Sequence, residues 1–292
     1  MLQLSKVIYD ENMSYDKGQG GLAIYIATEK GYINYNLVHS VIRERNADMW
    51  RLTVANLTNA DGEIVKQITK NGAEWEMAVR IMDRPDFIGG YAHGDEKYTL
   101  FEVYIDGVKT EVTSLRQSTT FEEMKVIVDS IGYDPNDGTT KALAHHKKYR
   151  INKEGIRLEQ KVEWFHDYDM RKSSYLAMMP PVKHSTISEE DVITDSYYTD
   201  LDSTPQIIAK TGGFSFSTEG VISVCVFGEK SGVHFTMSKA DYSGSKSEST
   251  SMILSDNNGL NYNKMYFVFC GADTVKAGEV WTSTTVYNIE WK

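Results

Sequence analysis

Cysteine is nearly absent from this chain, which excludes a disulfide-stapled scaffold. Cys225 and Cys270 are the only two in 292 residues. Both stand in alternating apolar runs, so two buried free thiols are expected, with a cross-strand disulfide as the alternative. No cysteine pair has zinc-site spacing. Proline is rare as well, five in all, so strand ladders need few interruptions. No apolar run approaches the length of a membrane-crossing helix, and no membrane partner is expected. The opening apolar run is short and Asp10 and Glu11 follow it at once, unlike a secretory leader. The expected location is therefore cytoplasmic or virion-associated. Cations are outnumbered, 31 Lys and Arg against 41 Asp and Glu, for a net charge of -10. That excludes the broad basic face of a nucleic-acid binder but leaves room for a local basic pocket. Phosphate-cradling, dinucleotide, nucleophile-elbow and calcium-loop motifs are all missing, so no cofactor and no metal are expected.

What is present is alternation. Hydrophobic residues make up 41% and charged residues 25% of the chain, a globular balance rather than a disordered one. In Glu74 to Ile81, the side chains of Trp75, Met77, Val79 and Ile81 share one face and those of Glu74, Glu76 and Arg80 the other, the pattern of a half-buried strand. Phe101, Val103 and Ile105 form another apolar face, closed by an Asp106-Gly107 hairpin turn. Leu143 to Ile151, the turn 152–155, and then Ile156, Leu158, Val162 and Trp164 read as a hairpin. Residues 121–131 fit a short strand or a helical turn, 184–206 a long acidic loop, and 243–251 a serine-rich surface loop. Val221 to Phe227 and Met265 to Phe269 read as core strands. No sustained 3.6-residue period and no internal repeat is found. The expectation is an all-β chain, one large antiparallel β-sandwich spanning residues 1–292 with few short helices.

The densest group of unusual residues is Arg84 to Glu96, a glycine-rich stretch between two alternating segments, where a scaffold commonly carries its chemistry. It holds His93, Asp95 and Glu96 within four residues. A second group is the strand 143–151. Successive strand residues face opposite ways, so His145 and Tyr149 go with Leu143 and Ile151, whereas His146, Lys148 and Arg150 share the other face. A basic cluster with a histidine on an acidic protein suits an acidic ligand such as a uronic acid. A guanidinium pairs a carboxylate in two places, which brings in Arg84 and Arg45, the latter beside Asn46. His93, His146 and Tyr149 are thus the candidate catalytic residues, and Arg45, Asn46, Arg84, Glu96, His145 and Lys148 the candidate substrate contacts. The 84–96 loop and the 143–151 strand are expected to border one cleft holding both His93 and His146.

Three places resemble the galactose-mutarotase-like supersandwich of sugar epimerases and polysaccharide lyase β domains. They are the loop Gly89 to Glu96, the hairpin 143–165 followed by Tyr175 to Pro180, and the ending with Lys264 to Phe267, Gly278 to Trp281 and Val286 to Ile289. The Asn-His-aromatic motif of the epimerases is missing, which points away from epimerase chemistry. The resemblance implies a carbohydrate-active sandwich, with an oligo- or polysaccharide, acidic in character, as its partner and β-elimination as its chemistry. A non-catalytic carbohydrate-binding or phage structural protein of the same fold is the alternative. More distantly, His93 with Glu96 resembles the metal-binding His-x-x-Glu segment of zinc carboxypeptidases and aspartoacylase-like hydrolases.

Overall fold

A computed structural model describes residues 4–13, 15–16, 18–90, 93–171, 174–208, 214–243, 250–255, 261–268 and 274–292. Alternation becomes strand in most of the places where it occurs. The strand Lys141–Asn152 shows why. Leu143, His145, Lys147, Tyr149 and Ile151 are buried on its inner face, while His146 is exposed on the outer one beside the partly exposed Lys148 and Arg150. Asn152 pairs with Gly155 across a two-residue turn. Gly155 has φ +118°, and a Cβ there would lie 2.2 Å from the Tyr287 carbonyl oxygen of the next strand. Only glycine allows both that conformation and that approach.

This hairpin is the centre of a long antiparallel sheet. In order across it run Glu96–Ile105, Met124–Tyr133, Lys141–Asn152, Gly155–Trp164, Val280–Trp291, Val233–Ser243, Ser223–Gly228 and Ser196–Thr199. A single parallel bridge, Asp48 to Lys97, joins its first strand to a second ladder of Ala47–Thr58, Tyr32–Ile42, Gly21–Ala27 and Lys6–Asp10. A separate four-stranded sheet holds Tyr175–Met179, Asn263–Val268, Thr250–Ser255 and Phe214–Glu219. Leu22 and Leu52 of the second ladder, Tyr149 and Phe235 of the long sheet and Phe267 of the small one meet in a common core. The expected β-sandwich is therefore what forms. Its helices, among the described residues, are two 3-10 turns, Arg43–Arg45 and Val112–Arg116. No helix there is long and apolar enough to cross a membrane.

Three expectations need correction, and one left open between strand and helical turn, at 121–131, is decided for the strand. Residues 74–81 are not a half-buried strand but an extended segment, enclosed on both sides as far as Val79, with Arg80 partly exposed. The Met77 amide donates to Gln160 of the long sheet, while Ala78 pairs with Tyr175 of the small sheet. The polar side of the alternation is buried too, with Glu74 8% and Glu76 3% exposed. A segment packed between layers has no solvent face, so its carboxylates need internal partners. Residues 121–131 resolve into the strand Met124–Tyr133. The acidic loop 184–206 yields the strand Ser196–Thr199, paired with Ser223–Gly228 on one side and Gln206–Ile207 on the other, because Tyr197 and Thr199 bury against the end of the long sheet. The serine-rich stretch 243–251 is in part strand: Ser243 closes Val233–Ser243 and Thr250 opens Thr250–Ser255, with 244–249 outside the described residues. Cys225 is a buried free thiol, as expected, and Cys270 lies outside the described residues.

Gly155→Ala is expected to lower stability by about 1–3 kcal/mol, the usual cost of a strained backbone residue. Lys153→Ala on the same exposed turn should leave stability unchanged in the same denaturant titration.

Candidate functional site

The loop Arg84 to Glu96 is folded on its glycines. Gly89 and Gly94 bridge across its neck, with the Gly89 amide 2.8 Å from the Gly94 carbonyl, and both have positive φ. At Gly94 a Cβ would fall 2.1 Å from the Arg45 carbonyl oxygen, and that same carbonyl accepts the Asp95 amide at 2.8 Å. The loop is thereby hooked onto the 3-10 turn Arg43–Arg45. Asn46 follows the turn in the left-handed region and donates to Asp95 Oδ1 at 3.1 Å and to the Gly138 carbonyl at 2.9 Å. Residues 44–46, 85–86, 93, 95 and 135–138 so enclose a cleft of about 650 Å3, lined in part by Arg45, Asn46, Asp86, His93, Asp95 and Asp137. Tyr91 and Ala92 of this loop lie outside the described residues.

His93 is the imidazole of the cleft lining. Its Nδ1 lies 2.6 Å from Asp86 Oδ1, its Nε2 lies 4.0 Å from Glu74 Oε1, and its side chain is 26% exposed. An imidazole donating from Nδ1 to a carboxylate carries its lone pair on Nε2, which suits it to take a proton. Burial raises the pKa of Asp95, opposed by the hydrogen bond from Asn46. Asp137 is held down at about 2 by the hydroxyl and amide of Thr140 and by the Thr139 amide.

Behind the loop, its last residue enters the protein interior. Glu96 is 1% exposed, and its Oε1 accepts from Lys147 Nζ at 2.9 Å, from Ser130 Oγ at 2.5 Å and faces His145 Nδ1 at 3.1 Å. Burial disfavours the carboxylate, but Lys147, with His145 and Ser130, outweighs it and holds the pKa well below the usual range. Burial pushes the His145 imidazole down, offset in part by Glu96. Next to this group, Tyr149 donates to Glu76 Oε1 at 2.6 Å. Burial, with Glu76, drives the Tyr149 pKa well above its ordinary value, so the phenol remains a donor.

The residues singled out from the sequence therefore divide three ways. His93, Arg45 and Asn46 border the open cleft. Glu96, His145 and Tyr149 are closed inside the sandwich at 1%, 1% and 0% exposure, because the 74–81 segment covers the inner face on which they stand. His146 and Lys148 point outward from the long sheet, His146 to Asp129 and Lys148 to Glu159. The expected cleft shared by His93 and His146 is not formed: strand alternation sends His146 to the outer face. Arg84 is already committed, gripping Asp134 with Nε at 2.5 Å and Nη2 at 2.8 Å. Nor do His93 and Glu96 come together as a ligand pair, since each is turned to different partners. Sequence reasoning missed Asp86, Glu74, Lys147 and Glu76. Lys147 had a visible signal, a cation at an inward position between His145 and Tyr149.

No protein-family model and no curated protein sequence matches this chain. Among solved structures, it resembles the galactosidase domain of an alpha-galactosidase–sucrose kinase, at 8% identity and a TM-score of 0.54. That match covers 98% of this chain and 41% of the other, so this chain spans less than half the length of its neighbour. A protein from Synechocystis sp. (8% identity, TM-score 0.46, 92% and 96% covered) and a galactose mutarotase-like protein from Clostridium acetobutylicum (9%, 0.45, 93% and 96%) are more weakly similar. At such identities the likeness is one of fold, and the fold is the sandwich expected from the sequence.

Removing one side of the buried pair, by Glu96→Gln or Lys147→Met, is expected to cost about 3–5 kcal/mol. The folded pKa of Glu96 lies below its ordinary 4.5. Its contribution is therefore complete above that pH and is lost as pH falls through the folded value. Denaturant titrations from neutral to acid should show a steeper loss below pH 4.5 in the native protein than in Glu96→Gln.

Proposed function

We propose that this protein binds a carbohydrate in the His93 cleft and acts on it by proton abstraction, with His93 as the base and Asp86 as the group that orients it. The observation that carries this reading is the Asp86–His93 pair, 2.6 Å apart, standing in an open polar cleft. The cleft rim supplies what sugar hydroxyls need: carboxylate acceptors at Asp86, Asp95 and Asp137, the side-chain oxygen of Asn46, and the Arg45 donor. The galactosidase domain among the fold neighbours agrees with a carbohydrate ligand.

The reaction class we favour is β-elimination from a uronic-acid chain. His93 Nε2 takes the proton from the carbon that bears the sugar carboxylate, the C–H electrons form a carbon–carbon double bond, the glycosidic C–O bond breaks, and the departing oxygen takes a proton from water in the open cleft. His146, Tyr149 and Arg84 have no part in it, being turned outward, buried or bound to Asp134. A non-catalytic binding protein is the second reading. The predominance of carboxylates in the lining favours it, because they accept hydroxyl hydrogens from neutral sugars as readily as from acidic ones.

Incubation with a panel of uronic-acid polymers should produce the ultraviolet absorbance of an unsaturated uronide. His93→Ala should reduce its rate of growth about 100-fold or more without altering the unfolding midpoint. Sugar binding with no product in any polymer would favour the second reading.

A further inference from the structure

A uronide-cleaving site needs a cationic group for the sugar carboxylate, and the cleft rim offers little: Arg45 stands among Glu44, Asp86, Asp95 and Asp137. Linked to His93 through Phe87 there is a pair of arginines outside the cleft lining, Arg80 and Arg171, neither of them among the site residues read from the sequence. Ile81 bridges Met170, and the Arg171 amide donates to the Arg80 carbonyl at 2.8 Å. Arg80 and Arg171 are thus opposite one another. Directly opposite residues of an antiparallel pair send their side chains to the same face, with Cβ atoms about 5 Å apart. Ile81 and Met170 take the buried face, in the core with Val79 and Ile88, so the arginines take the other. Ser174 locks the arrangement: its hydroxyl accepts the Arg80 amide at 2.9 Å and donates to the Arg171 carbonyl at 3.2 Å.

Two like charges side by side are costly without an anion. Arg84, Arg116, Arg150 and Arg157 each hold an acid. Arg80 and Arg171 hold none among the described residues, and the Nε of each is buried with no acceptor. A buried donor without an acceptor is a standing cost that a ligand oxygen relieves. The pair also adjoins the proposed base. The Arg80 guanidinium lies 5.1 Å from the centre of the Phe87 ring, and the His93 ring lies 4.5 Å from that same ring.

From this placement we infer that Arg80 and Arg171 form an anion-binding site for a carboxylate- or sulfate-bearing sugar whose neighbouring ring lies against His93. The assignment to a sugar rests on the proposed function; the anion site itself rests on the arginines. The planar guanidinium forks suit a two-oxygen acid group. Phe87, touching both Arg80 and His93, sets the spacing between the acid group and the base.

Calorimetric titration of the full chain with an acidic oligosaccharide, its neutral counterpart and inorganic sulfate tests this. The acidic sugar is expected to bind more tightly than the neutral one. Arg80→Gln and Arg171→Gln should each weaken it about 10- to 100-fold, the worth of a charged hydrogen bond, leave neutral-sugar binding unchanged, and hold or raise the unfolding midpoint of the unliganded protein, since each removes one of two adjacent like charges. Competition of sulfate against the acidic sugar on the unaltered protein gives the same answer should either variant fail to fold. Equal binding of acidic and neutral sugars, indifferent to sulfate, would overturn the anion site and leave the carbohydrate reading standing. Binding of sulfate that is lost in the glutamine variants, with no sugar bound, would uphold the anion site and sink the carbohydrate reading. Binding of neither sulfate nor acidic sugar overturns the inference.

Discussion

A single buried carboxylate governs how the sandwich meets its cleft. Glu96 ends the glycine loop and begins the first strand of the long sheet, and it does so with almost no contact with water. An unpaired carboxylate there would be intolerable. Lys147, Ser130 and His145 all converge on one of its oxygens, and Lys147, equally buried, depends on Glu96 in return. The pair need not stabilise the fold relative to an apolar substitute. Its consequence is registry. The strand cannot slip by a residue without carrying Glu96 to the outer face, away from its partners, so the loop preceding it is fixed in position as well. Gly89 belongs to the same arrangement, since a Cβ there would come within 3.3 Å of the second Glu96 oxygen and 2.6 Å of the Met77 carbonyl.

The segment 74–81 carries that order across the molecule. It touches the long sheet through Met77 and Gln160 and accepts the Tyr287 hydroxyl on the Trp75 carbonyl at 2.5 Å. It receives the Leu52 amide of the second ladder on Glu76 at 2.9 Å, and it pairs with the small sheet at Ala78. Each successive residue thus answers to a different layer. Where the segment leaves the interior, Arg80 turns away from the core beside Phe87. Chemistry at the surface and connectivity in the core are consecutive residues of one stretch.

The fold was legible because alternation survives translation into three dimensions. Val103, Leu143, Tyr149 and Leu158 all bury as their spacing demands. The site was legible only in part. The glycines and His93 announced the loop, but periodicity reports which face a residue takes and not what covers that face. His145, Tyr149 and Glu96 were assigned to a cleft for their residue types and their nearness to the glycine loop and the basic strand, and a distant segment closes over them. For the same reason Glu74 and Glu76 read as solvent-facing when they are interior. Arg84 misled differently: its partner Asp134 is fifty residues away, and no local pattern records a contact of that range. The Arg80–Arg171 pair was invisible on the same ground, as the two are brought together by bridges between segments that do not form regular strands.

His145 and His146 show how strictly the backbone allots chemistry. Adjacent in sequence, one is buried against Glu96 and Gln160 and the other is solvent-exposed against Asp129. Neither has the combination that His93 has, an orienting carboxylate on one nitrogen with the ring itself partly open to a cleft. His145 has partners on both nitrogens and no access, and His146 has access without an enclosing site. A base must have both, a fixed tautomer and a reachable lone pair. By that physical criterion the three histidines separate without reference to their neighbours in sequence, and the glycine loop, whose turns no regular strand permits, is what gives His93 the position that strand alternation denies the other two.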